Sequence, residues 1–301
     1  MTPPWYSRLA LAALGRLPLH AISRAAGRFA SLRMPGLLQR ALIRIFGVAV
    51  GVDWSEVHGP VASFPSLQAF FTRPLAPGAR PRDSHEDAFL APCDGTWGAS
   101  GLVEMGTLLQ VKGQPYRLGE LLGSEKTAAA LEGGPYATIY LAPRDYHRFH
   151  TPLELCVSHA SHFPGALWPV NPLGVKGVPR IFAINERICI GLHPPERPDL
   201  QLFIVAVGAT MVGSVRVVFD DALGTNTAVS SPREHRYPEL ARIGRGEELG
   251  RFEFGSSLVV VASPGWIELD PLATGSPLRV GSRIGSVQSR APASGQSGGT
   301  P

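Results

Sequence analysis

Several features common in secreted and membrane proteins are missing from this sequence of 301 residues. Its three cysteines, Cys93, Cys156 and Cys189, are far apart and form no C-x-x-C pair. This spacing argues against a disulfide framework and is simplest in a reducing compartment. No segment approaches the roughly 18 consecutive apolar residues that a membrane-spanning helix needs. The sequence therefore predicts neither a disulfide-rich protein nor a spanning one.

Acidic residues are missing from the first sixth of the chain. Residues 1–52 contain seven arginines but no Asp, Glu or Lys. Because the net charge is +4, the rest of the chain carries −3. A nucleic-acid-binding domain would spread basic patches over its folded surface, whereas a basic, apolar end suits an anionic membrane surface. We therefore expect a membrane partner and no nucleic acid.

The same acid-free segment predicts helices. Stretches 6–17, 20–32 and 36–48 mix Leu, Ile and Phe with single arginines, and Pro18 and Pro35 separate them. Helices of this composition lie in the interface plane, with apolar side chains among acyl chains and arginines near phosphates. A helical cap packed on the body and a mitochondrial transit peptide are the alternatives. We assign residues 1–50 to amphipathic, membrane-associating helices.

The rest of the chain predicts a strand-rich body. Its 34 glycines and 28 prolines, with many short Val/Ile/Leu runs, favour strands and turns over a helical bundle. We expect an α+β fold with a β-dominated body at 51–288 and a disordered Ser/Gly/Pro/Ala tail at 289–301. Strands are predicted at 137–141, 158–163, 181–184, 201–207, 211–219 and 258–262.

Helices and one long loop are also predicted in this body. Helices are expected at 66–71 and 125–131, where Ser66 and Ser124 can cap the first turn. Residues 163–180 contain four prolines and three glycines. We expect an irregular loop there, and long loops in compact domains are often functional.

Two histidines follow the predicted strand at 137–141. His147 and His150 lie where catalytic groups are often presented, and imidazole is the natural general base near neutral pH. The H-x-x-H spacing is also compatible with a metal pair or with a structural role. His159 and His162 form a second such pair. A metal site needs three or four ligands and no close Cys or His partner is evident, so metal is the weaker hypothesis.

Asp94 and Ser256 are less distinctive candidates. Asp94 occupies a Pro-to-Gly turn, where a carboxylate usually binds its own backbone but would also serve to orient a histidine. Gly255-Ser256 precedes an apolar run and is a common turn pair, and its surroundings lack the G-x-S-x-G pattern of a hydrolase. Residue chemistry alone does not join these candidates into one site.

Longer motifs do join them, because the sequence resembles the phosphatidylserine decarboxylase family from Ser66 to Leu258. The matching segments are 66–75, 92–95, 140–150, 164–165, 170–172, 185–187, 207–214 and 246–252. The chain departs from the family at two points. The family commonly has Ala where this chain has Cys93, and Thr where it has Ser257.

The resemblance implies a precursor that cuts its own backbone between Gly255 and Ser256. Asp94, His150 and Ser256 would form the self-cleavage triad, and Ser256 would become a covalent pyruvoyl group that forms a Schiff base with the substrate amine. His147 would donate a proton during decarboxylation. Pyridoxal phosphate is the usual electron sink for such chemistry. None of the three lysines in this chain resembles a site for it, and no metal is expected.

The implied reaction converts phosphatidylserine to phosphatidylethanolamine and CO2. Residues 51–288 would be the catalytic domain. The large chain, 1–255, and the small chain, 256–301, would stay together without a covalent link because the strand at 258–262 should be buried. We expect a peripheral protein on the cytoplasmic face of a bacterial inner membrane, with the mitochondrial inner membrane as the alternative. A Ser/His/Asp or metal-dependent hydrolase without backbone cleavage and an inactive lipid-surface binding protein are the alternative functions.

Overall fold

An eight-stranded antiparallel sheet forms the centre of the protein. The structure is a computed structural model, and it describes residues 11–110, 114–210, 214–227, 230–253 and 256–288. The chain is 34% strand and 24% helix, so the predicted α+β, β-dominated fold is confirmed. The predicted tail at 289–301 lies outside the described residues.

The strands form four sheets. The central sheet has the order β11-β7-β8-β9-β13-β5-β2-β15, and smaller sheets have the orders β1-β16-β14, β10-β12-β6 and β3-β4. The strands are β1 Ala88–Leu90, β2 Gly95–Leu102, β3 Thr107–Gln110, β4 Gln114–Arg117, β5 Pro135–Leu141, β6 Arg148–His150, β7 Leu155–Phe163, β8 Arg187–His193, β9 Leu202–Val207, β10 Val215–Val217, β11 Arg233–Ile243, β12 Glu248–Phe252, β13 Ser256–Ala262, β14 Ile267–Leu269, β15 Pro277–Leu278 and β16 Arg283–Val287.

Two helices precede the sheets. They are α1, Leu19–Ser31, and α2, Gly36–Val50, and residues 11–14 are also helical. Their buried side chains Ala30 and Ile43 pack with Phe64 and Phe70 beneath them. No helix in the described part of the chain is long and apolar enough to cross a membrane. The predicted helices are confirmed where the structure describes them, and they rest on the body by one face.

Five shorter helices follow, the first before β1 and the others between strands. They are α3 Leu67–Phe71, α4 Leu118–Leu122, α5 Glu125–Ala130, α6 Pro172–Gly177 and α7 Ile181–Ile184. The caps of α3 and α5 are as the sequence predicts, since the hydroxyls of Ser66 and Ser124 accept hydrogen bonds from backbone amides three residues ahead.

Two local predictions need correction. Residues 181–184 form α7 and not a strand, because a four-residue apolar run has no periodicity that separates the two states. The segment 163–180 is not irregular throughout. Within it, α6 is capped by Asn171, whose side chain accepts hydrogen bonds from the amides of Leu173 and Gly174.

Strand β13 is held on both sides within the central sheet. It pairs antiparallel with β5 and with β9. Leu258 and Val260 contribute to one hydrophobic core, while Val259 and Val261 contribute to the core on the opposite face. Because β13 is interior and apolar on both faces, its first residue has a closely determined backbone position.

Candidate active site

Ser256 is the first residue of β13. Its partner across the ladder is Leu141, the last residue of β5. On the other side of β5, Thr96 of β2 pairs with Tyr140, so Gly95 lies beside Leu141 at the same end of the sheet. Adjacent strands are about 4.8 Å apart. The backbones of Ser256 and of the Asp94-Gly95 turn are therefore about 10 Å apart across β5.

The expected cleavage point lies between two backbone contacts. Residues 254 and 255 are outside the described residues, whereas Glu253 and Ser256 on either side of them are described. On one side Ser256 pairs with Leu141. On the other, the amide of Phe252 donates to the carbonyl of His147 at 2.8 Å. Residues 253–255 therefore connect two points that both contact the segment 141–147, which carries His147.

The imidazole of His147 is completely buried. It stacks on the ring of Phe71, with centroids 3.9 Å apart and an interplanar angle of 18°. Neither ring nitrogen has a hydrogen-bond partner in the described chain. A buried polar group without a partner costs free energy, so these two nitrogens mark His147 as a candidate functional group.

The electrostatic surroundings keep His147 neutral. Burial and, secondarily, the positive charge of Arg73 lower the pKa of His147 to about 3, and the nearby carbonyls of Ala142 and Pro143 offset this only in part. Arg73 is itself buried and donates to the carbonyl of Arg144 at 2.8 Å. A negatively charged ligand would be favoured between Arg73 and His147.

His150 lies at the end of β6 with both ring nitrogens engaged. Nδ1 lies 3.1 Å from the carbonyl oxygen of Gly246, and Nε2 lies 3.0 Å from the hydroxyl of Tyr146. A carbonyl only accepts, so Nδ1 carries the proton and Nε2 is the basic nitrogen, which accepts from Tyr146. Burial lowers the pKa of His150, which also favours the neutral ring.

Asp94 is held by a buried ion pair. Its carboxylate accepts from Arg80, at 3.0 Å for Nε and 2.5 Å for Nη2, and from the amide of Val280 at 2.8 Å. Glu56 also accepts from Arg80. Burial opposes the charge of Arg80, but these hydrogen bonds outweigh it and raise the pKa of the guanidinium. In the described chain no hydrogen bond joins Asp94 to His150.

The backbone after Asp94 requires glycine. Gly95 has φ of +149°, and a Cβ there would lie 2.4 Å from the carbonyl oxygen of Tyr140. This close approach lets β2 meet β5 at its first residue. The turn that the sequence suggested for Asp94 is present, but its carboxylate binds Arg80 and Val280 instead of its own turn.

A small cavity connects the two parts of the site. It measures about 260 Å³ and is lined by Tyr146, His150 and Gly246 on one side and by Arg80, Arg82 and Val280 on the other. Arg80 and Val280 are the partners of Asp94. His150 therefore borders the same cavity as the two residues that bind Asp94, although Asp94 itself is not among the lining residues.

Comparisons with known proteins decide the family. A family model described as phosphatidylserine decarboxylase matches residues 67–286. The phosphatidylserine decarboxylase proenzyme of Anaeromyxobacter sp. (strain K) is 42% identical over 282 residues, covering 93% of this chain and 99% of that protein. The proenzymes of Myxococcus xanthus, 36% identical over 90% of this chain and 95% of that protein, and of Bordetella pertussis, 38% identical over 93% and 95%, are also similar. The chain belongs to the phosphatidylserine decarboxylase family.

The two departures from the common family sequence are accommodated in the fold. Cys93 is completely buried, and burial raises the pKa of its thiol well above the usual value. It is therefore a small neutral core residue, as alanine would be. Ser257 is buried and pairs with Tyr140 of β5 and Val207 of β9. The threonine common in the family would add one methyl group at this position.

Several residues that build the site of this family member were not singled out from the sequence. Phe71 supports His147, Tyr146 binds His150, and Arg80 binds Asp94. Phe71 and Tyr146 lie within the matching motifs, so a search of those motifs for neighbours of the histidines would have found them. Arg80 lies outside the motifs, and only the tertiary structure reveals it.

Other candidate residues have different surroundings. His162 lies 2.8 Å from the buried carboxylate of Glu186, while His159 contacts Ser158, so the second H-x-x-H pair is split between two partners. Arg187, in the matching segment 185–187, donates to the backbone carbonyls of Glu120, Leu121, Ala183 and Asn185. Its guanidinium group is therefore already bound to the backbone of the fold. No group of three potential metal ligands occurs among the described residues.

A larger cavity is separate from the one beside His150. It measures about 800 Å³ and is lined by residues of β7 and β11 together with Lys126. Asp94, His147, His150 and Ser256 are not among its lining residues.

Proposed function

We propose that this protein decarboxylates phosphatidylserine to phosphatidylethanolamine after cutting its own chain between Gly255 and Ser256. One observation carries the proposal. His147 is completely buried with two unpartnered ring nitrogens, and the described residues on both sides of the cleavage point contact the segment that bears it. A reacting group formed at residue 256 would begin within reach of that segment.

In the self-cleavage step, His150 accepts the proton of the Ser256 hydroxyl while its oxygen attacks the carbonyl of Gly255. The amide bond between Gly255 and Ser256 breaks as an ester forms. Elimination at residue 256 then releases the carboxylate of Gly255 and leaves a dehydroalanine, which loses its nitrogen as ammonia on hydrolysis to the ketone. The basic nitrogen of His150 for this role is Nε2, because Nδ1 donates to the carbonyl of Gly246. Tyr146 occupies Nε2 in this structure and must give way when the hydroxyl approaches. Asp94 acts as a positioning residue, since it binds Arg80 and Val280, which border the same cavity as His150.

The residues at the strand end fit a pyruvoyl group derived from Ser256. Such a group supplies a ketone beside an amide carbonyl, which can take up the electrons released with CO2. The chain's own contribution is a water-poor surrounding, formed by the stacked rings of Phe71 and His147. Arg73, beside His147, favours an arriving carboxylate. A bound carboxylate would raise the pKa of His147 and so prepare it to carry the proton that the product requires.

The fold explains how a small chain of residues 256–301 would stay in place after cleavage. Its first strand, β13, lies between β5 and β9. Its later strands β15 and β16 pair with β2 and β1 of the large chain. Asp94 adds a direct link because its carboxylate accepts the amide of Val280. Burial of β13 stabilises the pair by about 1.5–3 kcal/mol for each large apolar side chain.

We further propose that α1 and α2 attach the protein to an anionic membrane. Their outer faces expose the apolar side chains of Phe29, Leu37, Leu38, Ile45 and Val48. Arginines 24, 28, 40 and 44 are exposed on the same helices, and no acidic residue occurs before Asp53. This combination favours insertion of one face among lipids whose headgroups are negative. The cytoplasmic face of a bacterial inner membrane fits this requirement.

Intact-mass measurement of the purified protein tests the cleavage. We expect a fragment of about 5 kDa, residues 256–301, with a blocked N-terminus that reacts with borohydride or hydrazine. Ser256→Ala should leave the chain whole. Ser257→Ala is the matched control, because it removes the neighbouring hydroxyl and should still yield the fragment. A whole chain in an active wild-type preparation would support a hydrolase and overturn the proposal.

Release of CO2 from phosphatidylserine labelled in its carboxyl group tests the reaction. We expect turnover by the processed wild type and by Ser257→Ala, and none by Ser256→Ala. A chain that binds vesicles but is neither cut nor active would be the lipid-surface binding protein that the sequence left as an alternative.

A further inference from the structure

A third cavity, which we call the arginine groove, opens between α1 and the three-stranded sheet β10-β12-β6. It measures about 600 Å³. Arg24 and Arg28 border it from α1, and Arg216 borders it from β10. Ser214 and Glu253 also line it. None of these residues was assigned a role by the motifs, and the groove is distinct from the cavity beside His150.

Three guanidinium groups and one carboxylate, that of Glu253, line the groove. Arg24 and Arg28 are one helical turn apart and therefore share a face of α1. Glu253 lies 4.0 Å from Arg251. Burial raises the pKa of Glu253, and the positive charges of Arg216 and Arg251 oppose this shift. The groove therefore has an excess of positive charge, with Glu253 as a partial counter-ion.

The groove begins at the membrane-facing helices and ends beside the cleavage point. Arg28 is next to Phe29, whose ring is half exposed on the outer face of α1. At the other end, the amide of Glu253 donates to the carbonyl of Ser214 at 2.7 Å, and Glu253 is only three residues before Ser256. A ligand in this groove would therefore lie between α1 and the segment that leads to Ser256.

We propose that the arginine groove binds the phosphodiester of the phospholipid substrate. Guanidinium groups bind phosphate oxygens with paired, charge-assisted hydrogen bonds. In a phosphatidylserine molecule the phosphodiester separates the acyl chains from the serine, and the groove separates the exposed face of α1 from Ser256 in the same order. This inference rests on the proposed function, and it assigns Arg24, Arg28 and Arg216 as the residues that fix the depth of the headgroup.

The test uses a ligand that has the phosphodiester but cannot react. Dihexanoylphosphatidylglycerol, kept below its critical micelle concentration, carries no amine and forms no bilayer. Its affinity for the processed full-length protein is measured by calorimetry. We expect Arg24→Gln, Arg28→Gln and Arg216→Gln each to weaken binding about tenfold. Arg233→Gln is the matched control on β11, since Arg233 is exposed outside the groove and its replacement changes the charge equally, and it should bind like wild type.

Each outcome decides the inference. A loss of affinity in Arg233→Gln equal to that in the groove variants would mean a general charge effect and would overturn it. A loss in Arg82→Gln alone would place the phosphodiester beside His150 and would also overturn it. Inorganic phosphate provides the second arm, and binding of phosphate as tight as that of the lipid would identify a free-anion site instead. Circular dichroism of each variant confirms that the fold is retained.

The same measurement separates this inference from the proposed function. Phosphatidylglycerol is not decarboxylated, so its binding is tested whether or not the protein turns over phosphatidylserine. Turnover without groove-dependent binding would refute the groove alone. Groove-dependent binding without cleavage or turnover would refute the decarboxylase and leave a phospholipid-binding site.

Discussion

The ring of His147 stacks on the ring of Phe71 at 3.9 Å between centroids, which links the buried histidine to the N-terminal helices. Phe71 also contacts Phe46 of α2, with centroids 6.1 Å apart. The histidine is therefore positioned by apolar contacts on its face while its nitrogens remain without partners in the described chain. Such a group is held rigidly and is still available to a ligand, as a proton donor or acceptor must be.

Replacing His147 by a ring that cannot carry a proton should separate the two steps. His147→Phe keeps a stacking ring beside Phe71, so the fold and the cut at Ser256 should persist. Decarboxylation should fall by about 10²–10⁴-fold, the usual contribution of a positioned acid or base. The fragment is followed by gel and the rate by CO2 release. Equal loss of both steps would show that the two histidines do not have separate roles.

The buried, neutral state of His147 should make stability depend on pH. Below pH 6.5 the unfolded chain gains a proton on this ring, whereas the folded chain does so only near pH 3. The free energy of unfolding should therefore decrease as the pH falls, by about 2 kcal/mol between pH 6.5 and 5 from this residue.

Urea unfolding at both pH values measures this dependence in the uncut Ser256→Ala chain. The same chain with His147→Phe is the comparison, since other titrating groups remain in both. We expect the decrease to be smaller by about 2 kcal/mol in the double variant. Identical pH dependence would mean that His147 is protonated as readily when folded as when unfolded.

Removing the charge of Asp94 should disturb both stability and cleavage. Asp94→Asn leaves the buried Arg80 with only Glu56 as a charged partner, and loss of one member of a buried pair costs about 3 kcal/mol. Glu56→Gln is the matched control, because the more exposed Glu56 shares the same guanidinium. It should cost about 1 kcal/mol and leave cleavage intact. Thermal unfolding and gel analysis measure the two effects.

Shortening a side chain in β13 should loosen the small chain. Leu258 is completely buried, so Leu258→Ala should destabilise the protein by about 2–5 kcal/mol. In the processed protein the 256–301 fragment should separate at a lower urea concentration on gel filtration. Val218→Ala, at a half-exposed site, should change stability by less than about 0.5 kcal/mol. Release at the same urea concentration would show that β13 does not hold the chains together.

Introducing negative charges on the outer apolar face of α2 should reduce membrane attachment. Leu37 and Ile45 are 79% and 69% exposed, so the double change Leu37→Glu and Ile45→Glu should not disturb the core. We expect much less protein to sediment with vesicles containing anionic lipid. Met105→Glu changes a 91% exposed residue elsewhere and is the control. Unchanged sedimentation of the double variant would exclude this face as the attachment surface.

Local sequence was sufficient for the features that depend on neighbouring residues. The sequence predicted the caps at Ser66 and Ser124, the strand that precedes His147, and the helices of the acid-free segment. These features could be predicted because caps and apolar periodicity act within a few residues. The four-residue run at 181–184 was predicted wrongly for the same reason, since so short a run is compatible with either state.

Only the tertiary structure decided which partners the candidate residues have. The sequence and its family resemblance named Asp94, His147, His150 and Ser256, and their roles remain proposals. The sequence could not indicate that Asp94 binds Arg80 and the amide of Val280, which is 186 residues away, or that Phe71 covers His147. These contacts join segments distant in the chain, and strand register, not local composition, brings such segments together.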